Sequence, residues 1–153
     1  MSRFVVDASV AIKWFVDEVQ TEIAALLLDH SLDAPDLLGP ECANILWKKV
    51  ARDQLRAAEA ETIAAALEAS GITVHATWPL LHDATAMAYA LHQPTYDCFY
   101  LCLAERLKVP LVTADHRLAG AVADRLSGSL AGLVLTLGEL PVALGGEPSK
   151  PTS

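Results

Sequence analysis

The chain has few of the features that would place it in a membrane, in a disulfide framework or in a zinc-binding class. No apolar run approaches the roughly 20 residues that a helix needs to cross a bilayer. Three cysteines (Cys42, Cys98 and Cys102) are an odd number and lack the paired spacing of a zinc site. The N-terminus shows neither the apolar core nor the cleavage site of a signal peptide. Together these absences predict a cytoplasmic protein.

Positive charge is also scarce. The chain has 11 Lys and Arg against 19 Asp and Glu, which gives a formal net charge of −8. Such a balance disfavours sequence-independent binding of nucleic acid through bulk charge. A nucleic-acid function would therefore need a local basic patch or a bound cation. Lys48, Lys49 and Arg52 form a basic segment that could follow an RNA backbone, although such segments are usually solvated helix faces.

The composition is that of a folded domain. With 153 residues, 53% of them hydrophobic and 20% charged, the chain fits one domain with a substantial core. Short apolar runs alternate with helical patterns and no internal repeat is present, which predicts a three-layer α/β/α sandwich around a short, mostly parallel sheet. We predict the domain at residues 1–140 and a flexible tail, rich in Gly, Pro and Ser, at 141–153.

The predicted elements follow from periodicity and from turn residues. Strands are expected at 3–6, 31–35, 72–74, 111–113 and 133–136. Helices are expected at 9–16, 21–28, 40–52, 57–70, 79–91, 95–107 and 116–126. Pro40 opens the third of these helices, since proline is tolerated in a first turn. Gly71 closes the fourth, because glycine adopts the left-handed conformation of a helix cap without strain.

Acidic residues stand where these elements meet one edge of the sheet. Asp7 follows the first strand and Asp115 follows the fourth, and parallel strands share the carboxyl edge at which open α/β folds bind ligands. Asp97 and Glu41 open helices that begin at the same edge. Two carboxylates about 5 Å apart repel by roughly 3 kcal/mol at an effective dielectric near 20. Such a cluster calls for a divalent cation or for raised pKa values, and carboxylate oxygens suit Mg²⁺ or Mn²⁺.

Each acid also has a purely structural interpretation. Asp7, Asp97 and Asp115 could cap the helices that follow them. Glu41 could serve the dipole of its helix. His116, beside the predicted cleft, could be a base or simply a solvated side chain.

Three segments resemble the PIN-domain family: FVVDAS near the start, PECANILWKKV in the middle and YDCFYLCLAERLKVPLVTAD late in the chain. Their order and spacing are similar to those of the VapC-type toxins of bacterial toxin–antitoxin pairs. The resemblance extends from Arg3 to about Leu140. It implies a metal-dependent endoribonuclease that is usually dimeric, is held inactive by a cognate antitoxin, and leaves 5′-phosphate and 3′-hydroxyl ends on RNA.

Residue by residue, the resemblance carries catalytic and metal-binding roles to four acids: Asp7, Glu41, Asp97 and Asp115. The family's small hydroxyl residues fall on Ser9 and Thr113, which could either position a carboxylate or water or bond locally in turns. Arg117 occupies the neighbourhood where some relatives carry a further acid, which argues against a fifth acidic ligand and a second metal. One of the carboxylates would orient or deprotonate the attacking water.

Two other functions fit parts of the pattern. A phosphatase that forms a phospho-aspartate also begins with a strand ending in aspartate, but it normally carries another aspartate two residues later, where this chain has Ser9. A non-catalytic signalling or scaffold domain is compatible with an α/β fold, since a fold does not determine a function. The Ser9 position argues against the phosphatase, and the four-acid constellation argues against the signalling or scaffold domain.

Overall fold

The computed structural model describes residues 2–125 and 132–146. In these residues five strands form one sheet in the order β3-β2-β1-β4-β5, and every neighbouring pair is parallel. The strands are β1 (Arg3–Val6), β2 (Ser31–Pro35), β3 (Thr73–His75), β4 (Leu111–Thr113) and β5 (Val134–Thr136). The parallel sheet predicted from the sequence is confirmed.

Helices connect the strands and cover both faces of the sheet. They are α1 (Ala8–Ala11), α2 (Thr21–Ala25), α3 (Leu38–Ala51), α4 (Ala57–Glu68), α5 (Leu81–Leu91), α6 (Thr95–Leu107), α7 (His116–Arg125) and α8 (Leu140–Ala143). Short 3₁₀ turns extend several of them, at Ile12–Trp14, Leu26–Asp29, Trp78–Leu80 and Leu137–Glu139. Within the two described ranges, none of the helices has both the length and the apolar character needed to span a bilayer.

The strand order places a ligand-binding crevice beside β1. From β1 the chain proceeds outward through β2 to β3, and then returns to the other side of β1 to form β4. The direction of winding therefore reverses between β1 and β4, where Val6 lies opposite Val112. In open parallel sheets the carboxyl ends of such a strand pair border the crevice that binds ligands. Asp7 and the residues that follow β4 lie at this crevice.

Both faces of the sheet are buried, as in a three-layer sandwich. Strand residues alternate between the faces, so Val5 packs with α5, α6 and α7, whereas Val6 packs with α1, α2 and α8. Both valines are 0% exposed. The helices α3 and α4 form a hairpin that packs against α1 through Leu38 and against the following 3₁₀ turn through Leu46.

Differences from the predicted elements are small and have local causes. The helix α3 begins at Leu38 and not at Pro40, which still lies in the first turn, where its missing N–H leaves no bond unmade. The first predicted helix tightens after Ala11 into a 3₁₀ turn, in which the amide of Phe15 donates to the carbonyl of Ile12. The helix α4 ends at Glu68 with Ala69 as its C-cap, so Gly71, with φ of 79°, has the predicted left-handed conformation but lies two residues beyond the cap.

The predicted domain boundary at residue 140 stays a prediction. Leu140 is buried and begins α8, and the described chain continues to residue 146. Residue 126, predicted as the end of a helix, and residues 147–153 of the predicted tail lie outside the described residues.

Candidate active site

Asp7 follows β1 directly and is held through both of its carboxylate oxygens. Its Oδ1 accepts hydrogen bonds from the Ser9 hydroxyl at 2.5 Å and from the Val10 amide at 3.2 Å. Its Oδ2 accepts the Thr113 hydroxyl at 2.5 Å. The bond from Val10 makes Asp7 the N-cap of α1, so its structural interpretation is correct. The two hydroxyl bonds go beyond what a cap requires and fix the orientation of the carboxylate.

Ser9 and Thr113 also connect Asp7 to the chain that follows β4. The Ala114 amide donates to Ser9 Oγ at 3.1 Å, and the Asp115 amide donates to Thr113 Oγ1 at 3.0 Å. Each hydroxyl thus donates to Asp7 and accepts from the β4–α7 loop. This bridging favours a positioning role for both residues over a purely local turn role.

Helix α6 contributes Asp97, and helix α3 contributes Glu41. Asp97 lies in the first turn of α6, but the N-cap position is Pro94 and no side chain caps this helix, so the capping interpretation of Asp97 is wrong. Glu41 lies in the first turn of α3, and its Oε1 accepts a hydrogen bond of 2.6 Å from the Tyr100 hydroxyl. Tyr100, which is 2% exposed, lies three residues after Asp97 on the same helical face.

The loop after β4 contributes Asp115. Its Oδ1 accepts the amides of Arg117 at 2.9 Å and Leu118 at 3.2 Å, and so caps α7. Its Oδ2 lies 3.2 Å from Nη2 of Arg117, and the same nitrogen lies 3.4 Å from Oδ2 of Asp97. The cap interpretation is therefore correct for Asp115, and one guanidinium joins this residue to Asp97.

The pKa shifts show that Asp97 interacts with the other three acids. Burial raises the pKa of Asp7 to about 6, and the charge of Asp97 adds to the rise. Burial also raises the pKa of Glu41, with Asp97 acting in the same direction and the Tyr100 hydrogen bond acting against it. Burial and the charge of Asp115 raise the pKa of Asp97, which Arg117 partly offsets. The four predicted acids thus share one electrostatic environment.

The donor chemistry of this site fits a hard divalent cation. Its side-chain donors are carboxylate and hydroxyl oxygens, and the raised pKa values show negative charge that a cation would stabilise. Thiolate ligation is disfavoured, since burial raises the pKa of Cys42 to about 12 and that of Cys98 to about 11. In the present arrangement, no three His, Cys, Asp or Glu side chains of the described residues are gathered closely enough to hold one ion.

Part of the predicted basic segment shares a face of α3 with Glu41. Lys49 is paired with Glu18 at 2.9 Å, whereas Lys48 and Arg52 are exposed. Lys48 and Arg52 lie seven and eleven residues after Glu41 on α3, a spacing that places them on the same helical face as that acid. Trp47, on the same helix, is 67% exposed.

The four acids and the two hydroxyl residues were predicted from the sequence, whereas the residues that contact Glu41, Asp97 and Asp115 were not. Tyr100 carries no motif, and its only signal was the spacing of three residues from Asp97. Gln93, whose Oε1 accepts Nη1 of Arg117 at 2.6 Å, gave no signal. His116 is exposed.

Comparison with known proteins identifies the family of the chain. The family model of the PIN domain matches residues 4–123. Ribonuclease VapC3 of Pyrobaculum aerophilum is 36% identical over 121 residues, which cover 76% of this chain and 92% of that protein. Ribonuclease VapC1 of Mycobacterium tuberculosis is 31% identical over 134 residues, which cover 79% of this chain and 92% of that protein.

A solved structure shares the fold. The crystal structure of PAE2754 from Pyrobaculum aerophilum superposes with a TM-score of 0.70 over 94% of this chain and 96% of that chain, at 22% sequence identity. The family match over most of the chain, the two relatives above 30% identity and the shared fold agree with one another. The chain belongs to the PIN-domain family and is similar to its VapC-type members.

Proposed function

We propose that this chain is a metal-dependent endoribonuclease that hydrolyses RNA phosphodiester bonds and acts as the toxin of a toxin–antitoxin pair. The observation that carries the proposal is that Asp97 interacts electrostatically with Asp7, Glu41 and Asp115 beside the crevice between β1 and β4. The names of the relatives, both called ribonucleases, support the reaction class.

The proposed ligands of Mg²⁺ or Mn²⁺ are Asp7, Glu41, Asp97 and Asp115, directly or through water. A divalent ion at such a site polarises the phosphate, lowers the pKa of a bound water and stabilises developing negative charge. The chain's own part is to hold the carboxylates in place. Ser9 and Thr113 orient Asp7, and Tyr100 orients Glu41. One of the four carboxylates would orient or deprotonate the attacking water.

The RNA is expected to pass along the exposed face of α3. Lys48 and Arg52 follow Glu41 on that face and supply local positive charge to a chain with a net charge of −8. Contacts of this kind position a phosphate backbone without specifying sequence. We therefore expect both side chains to contribute to RNA affinity more than to bond cleavage.

The partners of this proposal are an RNA substrate, a cognate antitoxin protein and a second copy of the chain, in the cytoplasm. A groove of about 360 Å³ between α3, α4 and β3 offers an apolar surface for a segment of the antitoxin. Its apolar lining includes Leu38, Cys42, Leu46, Leu67 and Ile72.

The phospho-aspartate alternative is disfavoured by the contacts of Asp7. Both oxygens of Asp7 accept hydrogen bonds, which lower the nucleophilicity of the carboxylate. Ser9, at the position where that class carries its second aspartate, is one of the donors.

Replacement of one central acid tests the proposal. Asp97→Asn keeps the size of the side chain but removes the charge that couples to the other three acids, and it should lower Mn²⁺-dependent RNA cleavage by more than about a hundredfold. The matched control is Asp83→Asn on α5, because Asp83 pairs with Arg106 away from the site. Cleavage of a labelled RNA by the purified proteins, with Mn²⁺ and with EDTA, measures both. Wild-type rates from Asp97→Asn would exclude Asp97 from catalysis.

A further inference from the structure

Arg117 brings a permanent positive charge to two of the site acids. Its Nη2 lies 3.2 Å from Oδ2 of Asp115 and 3.4 Å from Oδ2 of Asp97. A guanidinium stays charged at any pH at which the chain is folded. We propose that Arg117 is an internal counter-ion of the acidic site, which a divalent cation must displace from Asp97 and Asp115 in order to bind there. The inference rests on the proposed function, since it concerns the same carboxylates.

A separate contact holds Arg117 in this place. Its Nη1 donates to Oε1 of Gln93 at 2.6 Å, the shortest of the three guanidinium contacts. Gln93 is itself tied down, because its Nε2 donates to the carbonyl of His92 at 3.0 Å and to that of Leu91 at 3.4 Å. The guanidinium that contacts the two acids is therefore already oriented by Gln93, which lies just after α5.

The bonds of Asp115 explain why Arg117 and a cation would compete. Oδ1 of Asp115 is engaged by the amides of Arg117 and Leu118 in the cap of α7. Oδ2 is then the oxygen that can face a cation together with Oδ2 of Asp97, and both of these atoms contact the same Arg117 nitrogen. This sharing is also consistent with the finding that no three potential ligands of the described residues gather around one point.

The Arg117 side chain can move away from the two acids because it is 57% exposed. When Nη2 is displaced, the guanidinium can turn toward solvent or remain on Gln93, without opening the core. Since ion pairs at such exposure are worth little, displacement should weaken metal binding only modestly and not prevent it. In the metal-free chain, Arg117 would offset part of the negative charge of Asp97 and Asp115. A divalent cation would then bind only at concentrations high enough to displace the guanidinium.

The sign of a mutational effect distinguishes a counter-ion from a supporting residue. Arg117→Gln removes the competing cation, so the Kd for Mn²⁺ should fall by roughly three- to tenfold, because two exposed pairs of this kind are lost. A residue that merely orders the acids would give the opposite sign, namely weaker binding. The control is Arg106→Gln, since Arg106 pairs with the exposed Asp83 at 3.2 Å and is 46% exposed. It removes the same unit of charge away from the site and should leave the Kd unchanged.

Isothermal titration of the purified full chain with Mn²⁺ alone, for wild type, both arginine variants and Asp97→Asn, tests the inference. Tighter binding in Arg117→Gln together with an unchanged Arg106→Gln supports it. Unchanged or weaker binding in Arg117→Gln, equal tightening in both arginine variants, or no binding by any form overturns it. Loss of binding in Asp97→Asn shows separately that the proposed site exists, so the counter-ion can fail while the proposed function stands. Binding that survives in Asp97→Asn overturns both.

Discussion

At the scale of single residues, one hydroxyl group partly offsets the effect of burial on the pKa of Glu41. Burial and the charge of Asp97 both favour the protonated form of this acid, while the bond of 2.6 Å from Tyr100 favours the ionised form. The hydroxyl is a neutral donor, because burial and the neighbouring Glu41 raise the pKa of Tyr100 far above its ordinary value. Tyr100 thus supplies a hydrogen bond without adding charge to the site.

Removal of that hydroxyl should weaken the site with little damage to the core. Tyr100→Phe keeps the ring and deletes the donor, so we expect slower RNA cleavage, weaker Mn²⁺ binding and a loss of unfolding free energy of about 1–2 kcal/mol. Tyr96→Phe is the matched control, because Tyr96 is on the same helix but 61% exposed. If Tyr100 acts through Glu41, adding Tyr100→Phe to Glu41→Gln should change Mn²⁺ binding no further. A full additional effect in the double variant would contradict this role.

The positions of the acids could be predicted from the sequence, but the side chains that contact them could not. Asp7 and Asp115 were predictable because each follows a buried apolar strand, and parallel strands share an edge. The contact of Tyr100 with Glu41 joins residues 59 positions apart, and Arg117 reaches Asp97 across 20 positions. Such contacts depend on how the helices pack and on which rotamers the side chains adopt, and a local sequence pattern gives neither. Of the four acids, the sequence therefore predicted the placement but not the supporting contacts.

At the scale of elements, Asp33 links the three strands on one side of the sheet. It lies in the middle of β2 with 2% exposure. Its carboxylate accepts two bonds from Arg3 of β1, at 2.7 and 2.9 Å, and is 2.7 Å from Nε2 of His75 of β3. Asp33 interrupts the apolar run of β2, and its partners on the neighbouring strands make the burial of its carboxylate tolerable.

Loss of this carboxylate should therefore loosen the β1-β2-β3 side of the sheet. Asp33→Asn leaves a side chain of the same size but removes the charge that pairs with Arg3, and should lower the free energy of unfolding by about 1–3 kcal/mol at pH 7. Asp17→Asn, at an exposed position, is the control and should have almost no effect. Urea unfolding followed by circular dichroism measures the difference.

The pH dependence gives that prediction a definite sign. Burial alone would raise the pKa of Asp33, but the bonds and charges of Arg3 and His75 outweigh it and hold the pKa below its usual value. The stability from this group is therefore present above the unfolded pKa of about 3.9 and is lost as the pH falls through the lower folded value. The gap between wild type and Asp33→Asn should narrow below about pH 4. A gap that stays constant down to acid unfolding would contradict the pairing.

At the scale of the whole molecule, the fold carries more negative charge at its site than Arg117 offsets. The net charge is −8, and Asp7, Glu41 and Asp97 all have raised pKa values. A raised carboxyl pKa means that ionisation costs the folded state more than the unfolded chain. The metal-free protein should therefore gain stability when the site loses charge.

Asp7 gives the clearest test of that cost. Its folded pKa is about 6 against an ordinary 3.8, so the folded state binds the proton more tightly and wild-type stability falls as the pH rises between these values. The loss reaches at most about 3 kcal/mol at pH 7. Asp7→Asn keeps a cap oxygen for α1 and removes the charge. In EDTA it should be more stable than wild type at pH 7, and this advantage should disappear toward pH 4. If the stability difference between Asp7→Asn and wild type is the same at pH 7 and at pH 4, the charge of Asp7 does not destabilise the fold.

A bound divalent cation should offset the destabilisation that the charged carboxylates cause in the folded domain. An ion bound only by the folded form adds RT ln(1 + [L]/Kd) to the free energy of unfolding, which is about 2.7 kcal/mol at a hundredfold excess over Kd. For a chain of this length that corresponds to a rise in Tm of roughly 5–10 °C.

Thermal melts in EDTA and in millimolar Mn²⁺ should show the full rise in wild type and in the control Asp83→Asn. The rise should be smaller in Asp7→Asn and Asp115→Asn. Because Asp115 also caps α7, its variant should melt lower in EDTA than the lost charge alone predicts, so the metal-dependent difference is the quantity to compare. If all four proteins respond to Mn²⁺ by the same amount, these acids do not form the metal site.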